Sequence, residues 1–226
     1  MVLHWSLIES SGLFSWFGYD IQGKINTCQL SYAERAWGAI NMESLIEELT
    51  EDSITRAPQF AVYPFSCSYC LFWERPEDFR KPVDRETFLL RKRVFIQSLR
   101  KSSDSCRKIA FVNGKAVAYL LYASPALLPG LSNYDHLVVP DGDSLFLACL
   151  FIPERRFRGT GIADELLNCT IGYALKHSYR AVETIARRGY DENPSGPVRF
   201  YEKRGFSIAQ DHEEFPLVRL DLTQSH

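Results

Sequence analysis

The chain runs to 226 residues, 46% of them hydrophobic and 24% charged, with a formal net charge of −2 and a pI near 6.2. That is the composition of a globular protein with one large domain or two small ones. It gives no global attraction to nucleic acid or to an anionic membrane, so neither is expected as a partner. No apolar stretch approaches the roughly eighteen residues of a membrane span, and the start M-V-L-H-W-S-L-I-E-S carries no basic leader. A cytoplasmic location is the expectation.

Residues 1–41 are aromatic-rich and punctuated by Gly and Ser without a sustained period, and they read equally as an N-terminal extension ahead of a domain over residues 42–226 or as a segment whose Trp5, Trp16 and Trp37 pack on that domain. From Met42, M-E-S-L-I-E-E-L-T-E-D reads as a short acidic helix with Leu45, Ile46 and Leu49 on one face. An apolar run over residues 60–65 leads into C-S-Y-C-L-F-W-E, Cys67 to Glu74. A helix is predicted over residues 84–101, with Phe88, Leu89, Val94, Phe95 and Leu99 as its apolar set and Asp84 as N-cap. In K-I-A-F-V-N-G-K-A-V-A-Y-L-L-Y-A two strand-like runs flank Asn113-Gly114, the pair best suited to a tight hairpin.

A loop holding Pro125, Pro129, Gly130, Pro140 and Gly142 precedes S-L-F-L-A-C-L-F-I, residues 144–152, which is too uniformly apolar for a strand with a wet face. It reads as a central strand. From Gly161 to His177 the spacing of Ile162, Leu166, Leu167, Ile171, Ala174 and Leu175 is that of a helix with one buried face. A short strand A-V-E-T-I-A, a loop D-E-N-P-S-G-P, a helix through V-R-F-Y-E-K-R-G and strands around residues 206–209 and 215–222 complete the pattern.

Between the central strand and the helix lies P-E-R-R-F-R-G-T-G-I-A, in which two frames overlap. Arg156, Gly159 and Gly161 fit R-x-x-G-x-G, whereas Arg158, Gly161 and Ala163 fit R-x-x-G-x-A. A strand, a glycine turn and a helix in succession aim unpaired amides and the positive end of the helix dipole outward, which suits a phosphate. No Lys follows the second glycine, as a P-loop requires, and the three glycines of a dinucleotide fold are absent.

The segment L-F-L-A-C-L-F-I-P-E-R-R-F-R-G-T-G-I-A-D-E-L-L resembles the acetyl-CoA binding motif of the GCN5-related N-acetyltransferases, and F-Y-E-K-R-G-F at residues 200–206 resembles that family's later signature. C-S-Y-C-L-F-W-E looks like a block found ahead of the fold in an uncharacterised subgroup. The resemblance implies the acyl-CoA N-acyltransferase fold, an α+β (α/β mixed) architecture whose central, mixed but mostly antiparallel twisted sheet is flanked by helices. Its motif continues into L-L only from Arg158, Gly159, Thr160, Gly161, Ile162 and Ala163, which favours the second frame for holding the cofactor's pyrophosphate. Pro153 stands about two residues farther upstream than in the family, and Arg155 and Arg156 read as solvated loop charges in preference to a role at a 3′-phosphate.

The same resemblance implies acetyl-CoA as cosubstrate, with the pantetheine arm held by backbone groups of Cys149, Leu150 and Phe151, one of whose amides would polarise the thioester. Tyr201 matches the family's general acid. Glu183 is the candidate base if it faces the opening between strands; it could equally face water, and a chain of waters is the alternative. Cys149, in apolar surroundings without an adjacent His, reads as a packed core thiol. Cys67 and Cys70 lack a second pair, so no metal is expected. The implied activity is transfer of an acetyl group to a primary amine of a small molecule or peptide, and a homodimer is the assembly considered. The acidic loop Q-D-H-E-E, with Asp211, Glu213 and Glu214, would favour a cationic acceptor or simply be an exposed turn. The rival reading is a non-catalytic acyl-CoA binding or sensing protein.

Overall fold

The structure is a computed structural model that describes residues 44–58, 66–79, 84–102, 107–189 and 194–222. The extension assigned to residues 1–41 and the apolar run at 60–65 lie outside them. Among the described residues seven strands form one sheet: β1 (Ser44–Glu48), β2 (Arg107–Val112), β3 (Lys115–Ala123), β4 (Ser144–Phe151), β5 (Ala181–Ile185), β6 (Ser207–Gln210) and β7 (Leu217–Asp221). Their order is β1-β2-β3-β4-β5-β7-β6, and β4–β5 is the parallel pair in an otherwise antiparallel ladder. The helices are α1 (Pro76–Phe79), α2 (Arg85–Ser102), α3 (Ile162–Lys176) and α4 (Val198–Glu202).

The hairpin forms where Asn113 and Gly114 take φ of 49° and 75°, the left-handed values that such a turn demands. β4 is buried along its whole length, as a strand with neighbours on both edges and cover on both faces must be. Its register against β3 slips between Leu121 and Tyr122, which face Cys149 and Leu147, so Ala148 is left over as a bulge. Phe146, Ala148, Cys149 and Phe151 consequently belong to one core cluster, the one that also takes in Ile96 of α2 and Trp73. α3 lies against β2 to β5 on the sheet, where Tyr173 meets Tyr122 with ring centroids 4.9 Å apart.

Two expectations give way. The M-E-S-L-I-E-E-L segment is not a helix: Ser44–Glu48 is the edge strand, paired in register from Ser44↔Val112 to Glu48↔Lys108. A helix of so few residues cannot offset its own nucleation, whereas the free edge of β2 supplies backbone partners. In α2, Asp84 does cap the helix, accepting from the Thr87 amide at 2.8 Å, but Val94 is 57% exposed. The buried stripe is Phe88, Lys92, Ile96 and Leu99, a helical spacing obscured by the lysine in its middle.

That lysine explains the C-S-Y-C-L-F-W-E block. The Glu74 carboxylate is buried and accepts from Lys92 and, at 2.9 Å, from Arg107 of β2. Arg107 also donates to the Tyr119 hydroxyl at 3.2 Å, and Lys92 to the Cys70 carbonyl at 2.6 Å. Burial alone would push the Glu74 carboxyl up, but the two cations outweigh it and hold the group below the usual range. Block, helix and sheet are thus tied by one ionic cluster. The Gly130 amide donates to the Trp73 carbonyl at 2.9 Å, and Trp73 stacks on Tyr134 with centroids 5.8 Å apart. At the far edge, the Gln210 side-chain amide pairs with both backbone groups of Val139, at 2.9 and 2.6 Å.

Candidate active site

Past Phe151 the chain makes a single 3-10 turn at Arg155–Phe157 before reaching the glycines, which takes up the two extra residues after Pro153. Arg158 folds back so that Nε donates to the Ile152 carbonyl at 3.0 Å and a terminal nitrogen to the Pro153 carbonyl at 3.1 Å. Gly159 and Gly161 have φ of 76° and 95°, which side chains disfavour, and Gly161 is the N-cap of α3. A Cβ placed on Gly159 would meet nothing within 4 Å, so the turn opens onto free space.

That space is a cleft of about 380 Å³. Leu150, Phe151, Arg158, Gly159, Gly161 and Ala163 line one side, and Gly196, Pro197, Arg199, Phe200, Lys203 and Arg204 line the other, with Tyr201 outside the lining. Arg155 and Arg156 are not in the lining; Arg156 pairs with Glu154 at 2.9 Å and lies over the Phe157 ring. Of the two frames, then, it is the one starting at Arg158 whose arginine faces the cleft. Thr160 and Ile162 also fall outside the lining: the Thr160 hydroxyl turns back to the Phe157 carbonyl at 2.7 Å, and Ile162 is buried.

β4 and β5 are in register only from Ser144↔Ala181 to Phe146↔Glu183, and then they part. Residues Pro194 to Pro197 fill the gap. The Leu150 amide donates to the Pro194 carbonyl at 2.8 Å, the Arg187 amide to the Gly196 carbonyl at 3.0 Å, and the Val198 amide to the Arg187 carbonyl at 3.1 Å. Tyr201, fully buried between Phe200 and Phe206, donates its hydroxyl to the Ser195 carbonyl. Burial pushes its phenol well above the usual range.

Other expected residues lie elsewhere. Glu183 is 2% exposed on the paired part of β5, where its carboxylate accepts from the Ser144 hydroxyl at 2.7 Å, the Asp141 amide at 2.8 Å and Arg219 at 2.9 Å. It is committed to holding β4, β5 and β7 together, which is not the geometry of a base waiting for substrate. Cys149, through the bulge, faces the core cluster with Cys67; all of Cys67, Cys70 and Cys149 are free thiols, and burial pushes each of them up, keeping them neutral. In the acidic loop, Asp211 pairs with Arg188 at 2.6 Å and Glu214 with Arg187 at 3.4 Å, so two of its three carboxylates are already matched by cations.

Sequence reasoning missed the α4 wall: Arg199, Phe200, Lys203 and Arg204 all line the cleft. The signal was available in the four-residue spacing of Arg199 and Lys203, which puts both on one helical face. Among the described residues no group of His, Cys, Asp or Glu is placed to hold a metal ion, and no helix is long and apolar enough to cross a membrane.

No protein-family model matches the chain, and no curated protein matches it. Solved structures do. The N-acetyltransferase of Staphylococcus aureus Mu50 superposes with a TM-score of 0.53 at 12% identity, over 80% of this chain and 99% of that one. A GNAT-family acetyltransferase of Streptococcus pneumoniae gives 0.51 at 14%, over 80% and 100%. The PaiA N-acetyltransferase of Thermoplasma acidophilum, solved in complex with coenzyme A, gives 0.50 at 11%, over 80% and 100%. The fold is that of the acyl-CoA N-acyltransferases.

Proposed function

We propose that this protein is an acetyl-CoA dependent N-acetyltransferase of the GNAT family that acts on a primary amine of a small molecule or peptide. The observation that carries the reading is convergence: the glycine turn at the start of α3 and Leu150, at the parting of β4 and β5, line one cleft, and Tyr201 of α4 lies buried outside the lining, packed against the Phe200 ring of its wall. The open turn suits the pyrophosphate of the cosubstrate, whose acetyl thioester supplies the activated carbonyl. Arg158 keeps the strand end and the turn in one geometry through the Ile152 and Pro153 carbonyls while facing the cleft.

In the proposed reaction the Leu150 amide exchanges the Pro194 carbonyl for a carbonyl of the incoming arm, the stabilisation that an oxyanion donor provides. A neutral amine attacks the thioester carbon, the C–N bond forms as the C–S bond breaks, and Tyr201 gives its proton to the leaving thiolate. The amine's surplus proton passes to water, since Glu183 is engaged by Ser144, Asp141 and Arg219, and a proton returned through water restores the Tyr201 hydroxyl, so no net proton is gained or lost. No acyl-enzyme forms; the neutral, packed thiol of Cys149 is unsuited to one.

A second reading, a non-catalytic acyl-CoA binding or sensing protein, draws support from one observation. The Leu150 amide and the Tyr201 hydroxyl are both already bonded, to the consecutive carbonyls of Pro194 and Ser195. Thiol release from acetyl-CoA in the presence of polyamines, amino acids, aminoglycosides and peptides separates the two. Release that depends on one class of amine supports the enzyme, and tight binding of acetyl-CoA with no release from any of them supports the sensor.

A further inference from the structure

Past the last rung that joins β4 to β5, Phe146↔Glu183, the first residue of β5 is Thr184. It is fully buried, and its Oγ1 meets no partner in hydrogen-bonding geometry among the described residues. A hydroxyl hidden from water on those terms costs stability, whereas an apolar side chain of the same shape does not. Val182, two residues earlier and on the same face of the strand, shows that this face accepts one. Packing therefore gives no reason for an oxygen at this place.

Its neighbour does. The Thr184 side chain stands beside the Tyr201 hydroxyl and favours the ionised phenol against the opposing effect of burial. In the resting structure that phenol donates to the Ser195 carbonyl, an acceptor that can hold a neutral hydroxyl but only repel a phenolate. Arg204 adds favourable charge, yet its donors go to Asp164 and, at 2.7 Å, to the Phe200 carbonyl. A Thr hydroxyl, by contrast, rotates to donate where it is needed. Gly196, which lines the cleft, covers the same phenol: a Cβ there would lie 3.5 Å from the Tyr201 oxygen. Resting on the reading of Tyr201 as general acid, we propose that Thr184 is a positioning residue for it, whose hydroxyl turns to donate to the Tyr201 oxygen as the proton leaves. In that step the Tyr201 O–H bond breaks as its proton passes to the sulfur of the leaving thiolate. Thr184 keeps its own proton while donating a hydrogen bond to the phenolate, and a proton returned through water restores the phenol. The oxygen that meets no partner at rest meets one during turnover.

The test compares Thr184→Val and Thr184→Ser with the wild-type full chain, each also in a Tyr201→Phe background. Thiol release from acetyl-CoA is followed with the fastest acceptor among polyamines, amino acids, aminoglycosides and peptides, alongside calorimetric binding of acetyl-CoA and thermal melting. Thr184→Val should lower kcat by about ten- to a hundredfold, the worth of one hydrogen bond to a charged oxygen, with KM and acetyl-CoA affinity within about twofold of wild type. It should melt no lower than wild type, because the hydroxyl it removes is buried without a partner. Thr184→Ser, which keeps the hydroxyl, should restore kcat to within about threefold. In the Tyr201→Phe background Thr184→Val should cost nothing further, since the two residues act as a unit. The positioning role is overturned if Thr184→Val turns over like wild type, if Thr184→Ser fails to restore the rate, or if the loss is equally large without the Tyr201 hydroxyl. A wild-type chain that binds acetyl-CoA with no amine-dependent release, or a Tyr201→Phe variant as fast as wild type, overturns the reading of Tyr201 itself and the role of Thr184 with it.

Discussion

The Leu150 amide points across the parting of β4 and β5 to the carbonyl of Pro194, 2.8 Å away, and the next carbonyl, Ser195, takes the Tyr201 hydroxyl. Because the Leu150 and Arg187 amides anchor the same segment independently, removing the Tyr201 hydroxyl leaves the segment in place. Tyr201→Phe should therefore bind coenzyme A within a few-fold of wild type while turnover falls by roughly 10² to 10⁴, the range for losing a general acid. Calorimetry and steady-state thiol release on one preparation check both halves. Unchanged turnover would remove Tyr201 from the chemistry.

The pH dependence follows from the direction of the Tyr201 shift. Burial penalises the tyrosinate, so the proton-donating form persists as pH rises past the ordinary tyrosine range of about 10. Turnover should show no alkaline limb attributable to this phenol, and the acidic limb should track deprotonation of the acceptor amine. Comparing the pH profiles of two acceptors whose amine pKa values differ should move the acidic limb by that difference.

Substitution in the turn should separate conformation from charge. Gly161 has φ of 95°, a value that costs a residue with a Cβ about 1 to 2 kcal/mol, so Gly161→Ala should weaken coenzyme A binding by about tenfold and the bulkier Gly161→Val should abolish it. Arg158→Glu should abolish binding too, by putting negative charge beside the diphosphate and by releasing the Ile152 and Pro153 carbonyls.

Gly130 has no room for a methyl group. A Cβ there would lie 2.3 Å from the Phe72 carbonyl oxygen and 2.6 Å from Trp73 Cα, backbone atoms that cannot step aside. Gly130→Ala should lower the melting temperature by several degrees, the shift expected for about 1 to 3 kcal/mol of overpacking. Gly142→Ala, with nothing within 4 Å of its Cβ, should leave it unchanged.

Glu74 makes a prediction about acid. Its folded carboxyl is held below the ordinary value by Lys92 and Arg107 against the effect of burial. Its contribution to stability is therefore complete above the unfolded value of about 4.3 and fades as pH falls through the lower folded one. Glu74→Gln, which leaves two buried cations facing a neutral amide, should cost about 3 to 5 kcal/mol. It should also flatten the fall in urea midpoint between neutral and acidic pH, and a parallel fall in variant and wild type would reassign that acid sensitivity.

Local chemistry made most of this fold readable. The Asn113-Gly114 turn, the Asp84 cap and the unbroken apolar run of β4 each announce themselves within a few residues, and so does the turn from Arg158 to Ala163. What stayed hidden depends on partners far away in sequence. Leu45, Ile46 and Leu49 suit a helix face, and only β2, some sixty residues on, makes their segment a strand. Glu74, Lys92 and Arg107 look like three unrelated surface charges until the chain brings them together. The Pro194 and Ser195 carbonyls carry no signature at all, because backbone oxygens are identical in every residue type.

Gln210 has a consequence for self-association. β6 closes one edge of the sheet with all four of its residues exposed, and such a strand is an invitation for a second chain to extend the ladder. By spending its side-chain amide on both backbone groups of Val139, Gln210 imitates one rung of that missing strand and seats a loop of the same chain beside the edge. Among the described residues the opposite edge is β1, whose Glu47 is held in an ion pair with Arg56 at 2.9 Å, so that border presents charged side chains to a second chain. One border of the sheet is guarded by mimicry of the peptide group, the other by charge.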